Sequence, residues 1–381
     1  MSSADLHDSA SDSEGYTLAA LPHPGDALPG IGGQLKSSAD DFVVEELPLY
    51  QPCGSGEHVY LRLERSDRET RQIERELGRL FRLRDADIGT AGLKDRTARA
   101  TQTFSLHAPK LDADEAARRV GDELGYTVLA ANRHTNKLRT GHLAGNRFTI
   151  CVVGVHPDAL NLANQRWRHL QTIGAVPNYY GEQRFGREGD NAVRGRQLLL
   201  GELRPRPKPW LRRFLLSAYQ SELFNRWLAA RIDAGRFGEP VSGDVMRKRS
   251  SGGLFTLEDG AVPAEEQERF VRGETDYTGP IFGRKMTAPT PGSPAAEAEQ
   301  TILTQAELNV DLLARAKLDG TRRSARLPVG DLQMRFEQES VGEAEAPASL
   351  RFHFELPPGS YATVVLACIL KETGETAADA D

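Results

Sequence analysis

The stretch IGTAGLKDRTARATQTFSL, residues 88–106, combines two short segments that predict strands with a polar Gly-Leu-Lys-Asp-Arg loop between them. Upstream, DFVVEE (41–46) has the same strand-like character. Apolar and polar residues alternate through 58–64, the period of two that is typical of a half-buried strand. The centre of the fold is therefore predicted to be a sheet.

Helical patterns lie beside these strands. Residues 69–81 repeat apolar side chains at helical spacing and follow two candidate N-cap residues. A second helix is predicted at about 112–121, and further strands near 127–132 and 147–155. The mixture predicts an α+β fold class with one mixed, mainly antiparallel sheet.

The second half of the chain has a different character. Helical patterns occur at 158–173, 191–200, 210–231 and 304–318. A low-complexity segment, TAPTPGSPAAEAEQ, occupies 287–300, and a strand pattern returns at 350–356. The predicted organisation is an acidic disordered tail (1–31), a sheet domain (32–174 and 327–371), a mostly helical α/β insertion domain (175–326) and an acidic tail (372–381).

Several classes of protein are excluded by what the sequence lacks. There is no run of about 18 apolar residues and no secretory signal, so neither a membrane span nor export is predicted. Cys53, Cys151 and Cys368 lie far apart, which argues against a disulfide framework or a zinc site and suits a reducing cytoplasm. No phosphate-binding glycine loop, HExxH or GxSxG motif occurs, so no nucleotide cofactor and no metal are predicted.

The charge distribution points to a nucleic-acid partner despite a net charge of −6. Residues 1–48 carry −8 and residues 371–381 carry −3, which leaves +5 on residues 49–370. Binding responds to the local field, which is screened within roughly 10 Å at physiological salt. The acidic ends therefore do not cancel the basic body.

Two stretches concentrate the positive charge. Residues 184–213 contain nine Arg or Lys and three acids, and residues 124–157 contain four cations and no acid. Charge runs are more often solvated surface, but cations interleaved with amides suit an RNA backbone and base edges. The candidates for phosphate contacts are Arg139, Arg184, Arg204, Arg206 and Lys208.

The loop at 92–96 offers a carboxylate, Asp95, between two cations, Lys94 and Arg96. Nearby cations lower the pKa of a carboxyl group, so Asp95 is expected to be ionised and able to act as a nucleophile or a base. An isolated motif of this kind is more often a hydrogen-bonded turn. Phe42, Phe148 and Tyr361 could stack on an unpaired base beside an amide such as Asn146, although spacing alone favours the core for each.

Seven motifs in this order resemble those of the TruD-type tRNA pseudouridine synthases, the branch that modifies uridine 13 of tRNA. They are DFVVEE (41–46), AGLKDRTARATQTF (91–104), KLRTGHLAGNRF (137–148), VPNYYGEQRFG (176–186), LSAYQSELFN (216–225), TGPIFG (278–283) and LPPGSYAT (356–363). They span nearly the whole chain beyond residue 32. One departure is Ala367-Cys368, where the family commonly has Arg-Glu, so no contact of that pair is carried over.

The resemblance implies roles for individual residues. It makes Asp95 the catalytic aspartate and places Phe42, Asn146, Phe148 and Tyr361 around the uracil, with Phe148 stacking on the base. Lys36 and Lys94 are the cations placed near the carboxylate. The sheet domain becomes the catalytic pseudouridine synthase domain, and 175–326 becomes the TRUD insertion domain that helps to grip the tRNA.

The implied activity is a cofactor-free isomerisation of a flipped-out uridine to pseudouridine by a cytoplasmic, monomeric enzyme. Whether Asp95 attacks C1′ or removes a C2′ proton is left open by the sequence. The alternative is a non-catalytic protein that binds or folds tRNA. Release of tritium from 5-tritiated uridine distinguishes the two, because only the isomerase breaks the C5–H bond.

Overall fold

The computed structural model describes residues 18–35, 38–94, 98–205, 207–328, 331–338, 340–341, 344–345 and 347–371. The chain divides into two compact units. The sheet unit comprises the described residues of Pro29–Arg166, Pro328–Ala362 and Leu370–Asp381, and the helical unit those of Met1–Leu28, Trp167–Leu327 and Thr363–Ile369.

Both units mix helices and strands, which confirms the predicted α+β class. The strands of the described residues are β1 (Gly32–Leu35), β2 (Phe42–Pro48), β3 (His58–Arg65), β4 (Ile88–Thr90), β5 (Arg99–His107), β6 (Thr127–His134), β7 (Leu143–Val155), β8 (Val176–Pro177), β9 (Val245–Lys248), β10 (Leu254–Thr256), β11 (Thr275–Ile281), β12 (Thr321–Ser324), β13 (Arg326–Leu327), β14 (Gln333–Glu337), β15 (Ser340–Val341), β16 (Ala344–Glu345) and β17 (Ser349–Leu356). The helices are α1 (Thr70–Phe81), α2 (Ala113–Leu124), α3 (Ala159–Ile173), α4 (Asn191–Leu200), α5 (Pro209–Asp233), α6 (Ala264–Val271), α7 (Pro294–Gln305), α8 (Val310–Arg315) and α9 (Ala362–Leu370).

One large mixed sheet organises the sheet unit. Its main strand order is β14-β17-β7-β2-β5-β3-β6, with β1 added beside β7 and β4 beside β5. The β2–β5 pair is parallel, and its other pairs are antiparallel. The last strand, β17, pairs with β7 along its whole length, so the C-terminal part of the chain completes a sheet begun before residue 50.

Two helices bury one face of this sheet. Leu61 lies opposite Phe104 in the β3–β5 register, and both are fully buried together with Ile73 and Leu77 of α1. The start of α2 is fixed by Asp112, whose side chain accepts hydrogen bonds from the first-turn amides. The predicted helices at 69–81 and 112–121 are therefore confirmed to within a few residues.

The helical unit is built around α5, whose inner face is buried along most of its length. Strand β11 packs against it closely at Gly279. A Cβ atom at that position would lie 2.3 Å from the indole of Trp227 and 2.7 Å from the ring of Phe224. Glycine is therefore required here by close approach of the strand to the helix.

The structure differs from the sequence-based expectations in three segments. Residues 18–31, assigned to a disordered tail, include the buried residues Leu18, His23 and Ile31. The low-complexity segment contains the start of α7, which Ser293 caps by accepting a hydrogen bond from the Ala296 amide. The single helix expected at 304–318 is interrupted, because Asn309 caps a new helix, α8.

The insertion, predicted as mostly helical α/β, contains a sheet whose strands the sequence did not locate. Its strand order is β10-β9-β11-β12. Three of these strands have only three or four residues, too short for the alternation of apolar and polar side chains to be detected.

Candidate active site

The candidate site lies in the sheet unit, where residues 92–94 meet β2, β5 and the start of α1. Asp95 and Lys36, which the resemblance placed in the active site, lie outside the described residues, as does Arg96. Within the described residues, the site consists of Lys94 and its neighbours.

The chain immediately before Asp95 is held by two buried side chains. The amide of Lys94 donates to the hydroxyl of Thr70 at 3.1 Å, and Nε2 of Gln102 donates to the Gly92 carbonyl at 2.7 Å. The Thr70 hydroxyl in turn donates to Oε1 of Gln102 at 3.1 Å. The first residue of α1 and the middle of β5 thus fix the backbone of residues 92–94.

Lys94 is engaged in a buried ion pair with Glu46, which the sequence analysis did not assign to the site. Its ammonium lies 3.0 Å from Oε2 of Glu46, and the two side chains are 5% and 3% exposed. The other carboxylate oxygen of Glu46 accepts from the Thr103 amide at 3.2 Å. Adjacency to Asp95 had suggested Lys94 as a counter-charge for that carboxylate. The structure shows that its charge is already shared with Glu46.

The register of β2 and β7 places three of the predicted pocket residues on one face of the sheet. In the β2–β7 pair, Phe42 lies opposite Ile150, and Glu46 lies opposite Asn146. Side chains opposite each other, or two residues apart on a strand, point to the same face. Phe42, Glu46, Asn146 and Phe148 therefore share a face, and the ion pair of Lys94 belongs to it.

Phe148 is packed as a core residue within this wall. Its ring stacks on Phe354 with centroids 5.5 Å apart, and Phe42 meets it edge-on at 6.4 Å. Phe148 is 7% exposed. Phe354 and Phe42 together fix the orientation of the ring, as the core interpretation expects, and its stacking on a base remains a prediction.

Asn146 carries an unused hydrogen-bond acceptor. Its Oδ1 atom is buried and has no hydrogen-bond partner among the residues that the structure describes. A buried acceptor without a partner costs about 1–3 kcal/mol, so such groups are uncommon in folded proteins. A ligand N–H group, such as that on the edge of a nucleobase, would satisfy it.

Tyr361, the remaining predicted pocket residue, follows β17 in the sequence. It is half-buried and precedes the first residue of α9. Strand β17, which carries Phe354, ends five residues before it at Leu356. Its place in the uracil pocket remains a prediction.

The candidate phosphate contacts fall into two groups. Arg139, Arg204 and Lys208 are exposed, whereas Arg206 lies outside the described residues. Arg184 is half-buried, donates to the hydroxyls of Ser217 and Ser221, and is better placed to support the surface than to bind phosphate.

The basic stretch at 124–157 is largely structural. Arg133 donates to the carbonyls of Gly56, Pro109 and Leu111, and Lys137 donates to the Ala86 carbonyl. Arg147 pairs with two glutamates, and these contacts raise the pKa of its guanidinium. Because most of its cations already have partners within the protein, this stretch is less able to bind RNA than its lack of acids had suggested.

A metal site and a membrane span both lack support in the described residues. No three His, Cys, Asp or Glu side chains in that part of the chain are grouped so as to hold a metal ion. None of the helices described has both the length and the apolar character needed to cross a bilayer.

Comparison with known proteins gives consistent matches over most of the chain. The family model described as tRNA pseudouridine synthase D (TruD) matches residues 26–205 and 207–369. The tRNA pseudouridine synthase D of Anaeromyxobacter dehalogenans strain 2CP-1 is 42% identical, covering 95% of this chain and 99% of the relative. A tRNA pseudouridine synthase D of Thermus thermophilus is 40% identical, covering 90% of each.

The fold is also found in a solved structure. A crystal structure of a Methanosarcina mazei protein described as a putative TruD superimposes with a TM-score of 0.71 at 23% identity. The match covers 92% of this chain and 96% of that one. At this identity the likeness concerns the fold.

Proposed function

The chain belongs to the TruD family of tRNA pseudouridine synthases, enzymes that isomerise uridine in tRNA, and we propose that its target is the uridine at position 13. In this proposal Asp95 is the catalytic carboxylate and the sheet unit is the catalytic domain. The observation that supports it most is the buried network that fixes residues 92–94 on the same sheet face as Asn146 and Phe148.

The reaction needs few components. The N1–C1′ bond breaks, the uracil turns, and a C5–C1′ bond forms. The proton on C5 is lost and N1 ends protonated, so composition and oxidation state are unchanged. The chain has to supply an ionised carboxylate near the ribose and a pocket that retains the detached base.

The described residues suit the second task. A flipped base leaves its stack at a cost of a few kcal/mol, which an aromatic wall and a hydrogen bond to the base edge offset. Phe42 and Phe148 supply the wall, and Oδ1 of Asn146 is an acceptor for the N3–H of uracil.

Two routes are open to Asp95. Attack of its carboxylate on C1′ gives a covalent sugar ester, whereas removal of a C2′ proton gives an unsaturated sugar. Uridine deuterated at C2′ distinguishes them, because only the second route breaks the C2′–H bond and shows a primary isotope effect.

The test of the proposed function has two parts. Tritium release from 5-tritiated uridine in tRNA shows whether the isomerisation occurs. Nucleotide-resolution mapping of pseudouridine in total RNA, with and without the protein, shows whether position 13 is the target. Tight tRNA binding with no release would instead support the non-catalytic binding protein.

We expect Asn146→Ala to separate activity from stability. Losing one hydrogen bond to the base edge lowers kcat/KM by about 5- to 150-fold, the equivalent of 1–3 kcal/mol. Unfolding in urea should show no loss of stability, because the substitution removes a buried acceptor that has no partner among the described residues. A variant that loses stability in step with activity would contradict this role.

For the basic residues near the start of α5 we expect charge removal at Arg204, Arg206 and Lys208 to weaken tRNA binding and flatten its salt dependence. Each lost phosphate contact should reduce the slope of log K against log[salt] by about 0.7–0.9. An unchanged slope, measured by titration between low and physiological salt, would mean that these side chains face solvent in the complex.

Cytoplasmic location and a monomeric state complete the proposal. Cys53, Cys151 and Cys368 are free thiols, as suits a reducing compartment that contains the tRNA. Light scattering of the purified protein checks the monomer.

A further inference from the structure

The helical unit exposes two aromatic residues of α5, Trp210 and Phe214, which form an aromatic strip at the surface. Trp210 is 62% exposed, and Phe214, one turn later, is 37% exposed. Residues four apart lie on the same face of a helix. A single exposed apolar residue is ordinary, but here two exposed aromatic residues lie one turn apart on the same helix.

A fixed guanidinium group supports this strip from beneath. Arg184 lies 5.6 Å from the centroid of Phe214 and 5.8 Å from that of Tyr180. The guanidinium donates to the hydroxyl of Ser221 at 3.0 Å and to that of Ser217. The ring of Phe214 is thereby held against a cation whose position is set by two hydrogen bonds.

Cations and aromatic rings continue to alternate from Tyr180 towards the core of the unit. Arg323 lies 4.0 Å from the centroid of Tyr180 and 5.6 Å from that of the buried Phe224. It also donates to the carbonyl of Asn178 at 3.0 Å and to its side-chain oxygen at 2.6 Å. The stack Phe214–Arg184–Tyr180–Arg323–Phe224 thus joins the exposed strip to the core. Because the stack is already ordered, binding against Phe214 costs the protein little side-chain conformational entropy.

The stretch of chain that carries the strip is basic. Residues 203–221 contain five cations and no acid. Arg212 donates to the Ala316 carbonyl at 3.3 Å, whereas Lys208 and Arg213 are exposed on either side of Trp210. The complementary partner is therefore a polyanion that also presents flat, apolar faces.

We propose that Trp210 and Phe214, flanked by Lys208 and Arg213, bind an unpaired nucleotide of the tRNA. The base stacks on the Trp210 ring, and the adjoining phosphates meet the two cations. An unpaired base has an open π-face, whereas the bases of a duplex are covered by their neighbours. The choice of tRNA rests on the proposed function; the choice of an unpaired nucleotide rests on the aromatic strip.

The experiment compares Trp210→Ala and Trp210→Phe with Val271→Ala in the full-length protein. Val271, 83% exposed on α6, is a matched control because its arginine neighbours are paired with glutamates. We expect Trp210→Ala to weaken tRNA binding by about 5- to 150-fold, the effect of losing one stacked base. Trp210→Phe should stay within a few-fold of the unchanged protein, and the control within twofold.

Two further readouts separate stacking from charge. Trp210→Ala should leave the salt slope of binding unchanged because no phosphate contact is lost, whereas Lys208→Ala and Arg213→Ala should each lower it. Tryptophan fluorescence should be quenched by tRNA and by single-stranded oligouridine but not by duplex RNA, and the part of the quenching that comes from Trp210 should vanish in Trp210→Phe, which retains the half-buried Trp167. Trp227, 3% exposed, should contribute little to this signal.

The outcomes are decisive in both directions. Unchanged tRNA affinity in Trp210→Ala, or equal quenching by duplex RNA, would overturn the stacking surface. So would loss of a dimer in Trp210→Ala by light scattering, which would show that this strip is a self-interface. A protein that binds tRNA through Trp210 but releases no tritium would instead overturn the proposed reaction and leave this surface standing.

Discussion

The Asp95→Asn protein is expected to release no tritium from 5-tritiated uridine in tRNA above background while binding tRNA with unchanged affinity. Asparagine keeps the size of the side chain but has neither a nucleophilic nor a basic oxygen. A positioned acid or base contributes about 10²–10⁴-fold to a rate, and loss of a covalent nucleophile removes the reaction path itself. Single-turnover assays with saturating enzyme keep binding from masking the chemical step.

The matched control is Asp87→Asn. Asp87 also lies close before a strand, and a hydrogen bond from Arg84 lowers the pKa of its carboxyl group, with the guanidinium 3.0 Å away. A low carboxyl pKa alone therefore does not mark a catalytic residue, and this variant should retain full activity. Residual activity of more than about one hundredth in Asp95→Asn would remove Asp95 from the catalytic role, whatever the fold.

The sheet around the site could be predicted because its strands obey a simple rule. Residues 58–64 alternate apolar and polar side chains, and the structure places them in β3 with Leu61 and Leu63 buried under α1. The same rule gave the strand at 350–356. Periodicity reports which face is buried, so it succeeds where a strand is long and one of its faces is covered by helices.

The support of the candidate site could not be derived in this way. Three side chains contact residues 92–94 from distant positions in the sequence. Thr70 and Glu46 lie 24 and 48 residues from their partner Lys94. Gln102 lies 10 residues from its partner Gly92. Local pattern carries no information on such contacts. One signal was present, since the period of two within DFVVEE puts Glu46 on the face of Phe42, where an acid needs a partner.

The sequence also misjudged which cations are free. Counting charges in 124–157 identified an RNA-binding stretch, but three of its four cations serve carbonyl groups or glutamates. The stretch at 203–221 is likewise basic and free of acids, yet it includes the exposed start of α5 and keeps Lys208 and Arg213 at the surface. Only the fold distinguishes the two stretches.

Breaking the ion pair between Glu46 and Lys94 is expected to have the largest effect on stability. With the two side chains 3% and 5% exposed, Glu46→Gln leaves a buried ammonium without its partner carboxylate. Removing one member of a buried pair typically costs about 3–5 kcal/mol of the free energy of unfolding. Urea unfolding of the full chain measures this loss. We also expect kcat to fall, because residues 92–94 lose one of their three attachments.

The double variant Glu46→Gln/Lys94→Met separates the structural contribution of the pair from a catalytic one. Replacing a buried pair with well-packed hydrophobic residues is often close to neutral for stability, whereas Glu46→Gln keeps a buried amide, so part of the loss should be recovered. We expect kcat to stay low, because the cation beside Asp95 is gone, while tRNA affinity is unchanged. A double variant with full kcat would show that neither the charge of Lys94 nor its attachment to Glu46 is needed for catalysis.

A second buried pair, Arg322 with Glu299 in the helical unit, provides the control for this experiment. The two side chains are 1% and 7% exposed and 2.7 Å apart. Burial raises the pKa of Glu299 to about 7, so its carboxyl group binds a proton more tightly in the folded chain than in the unfolded one. The stability contributed by this proton falls as the pH rises through 7, and the comparison belongs at about pH 8, where the pair is ionised. Glu299→Gln, whose neutral side chain resembles the protonated form that burial favours, should then cost less stability than Glu46→Gln and leave kcat unchanged below the unfolding transition. Equal losses of kcat in both variants would mean that the effect at Glu46 is one of stability alone.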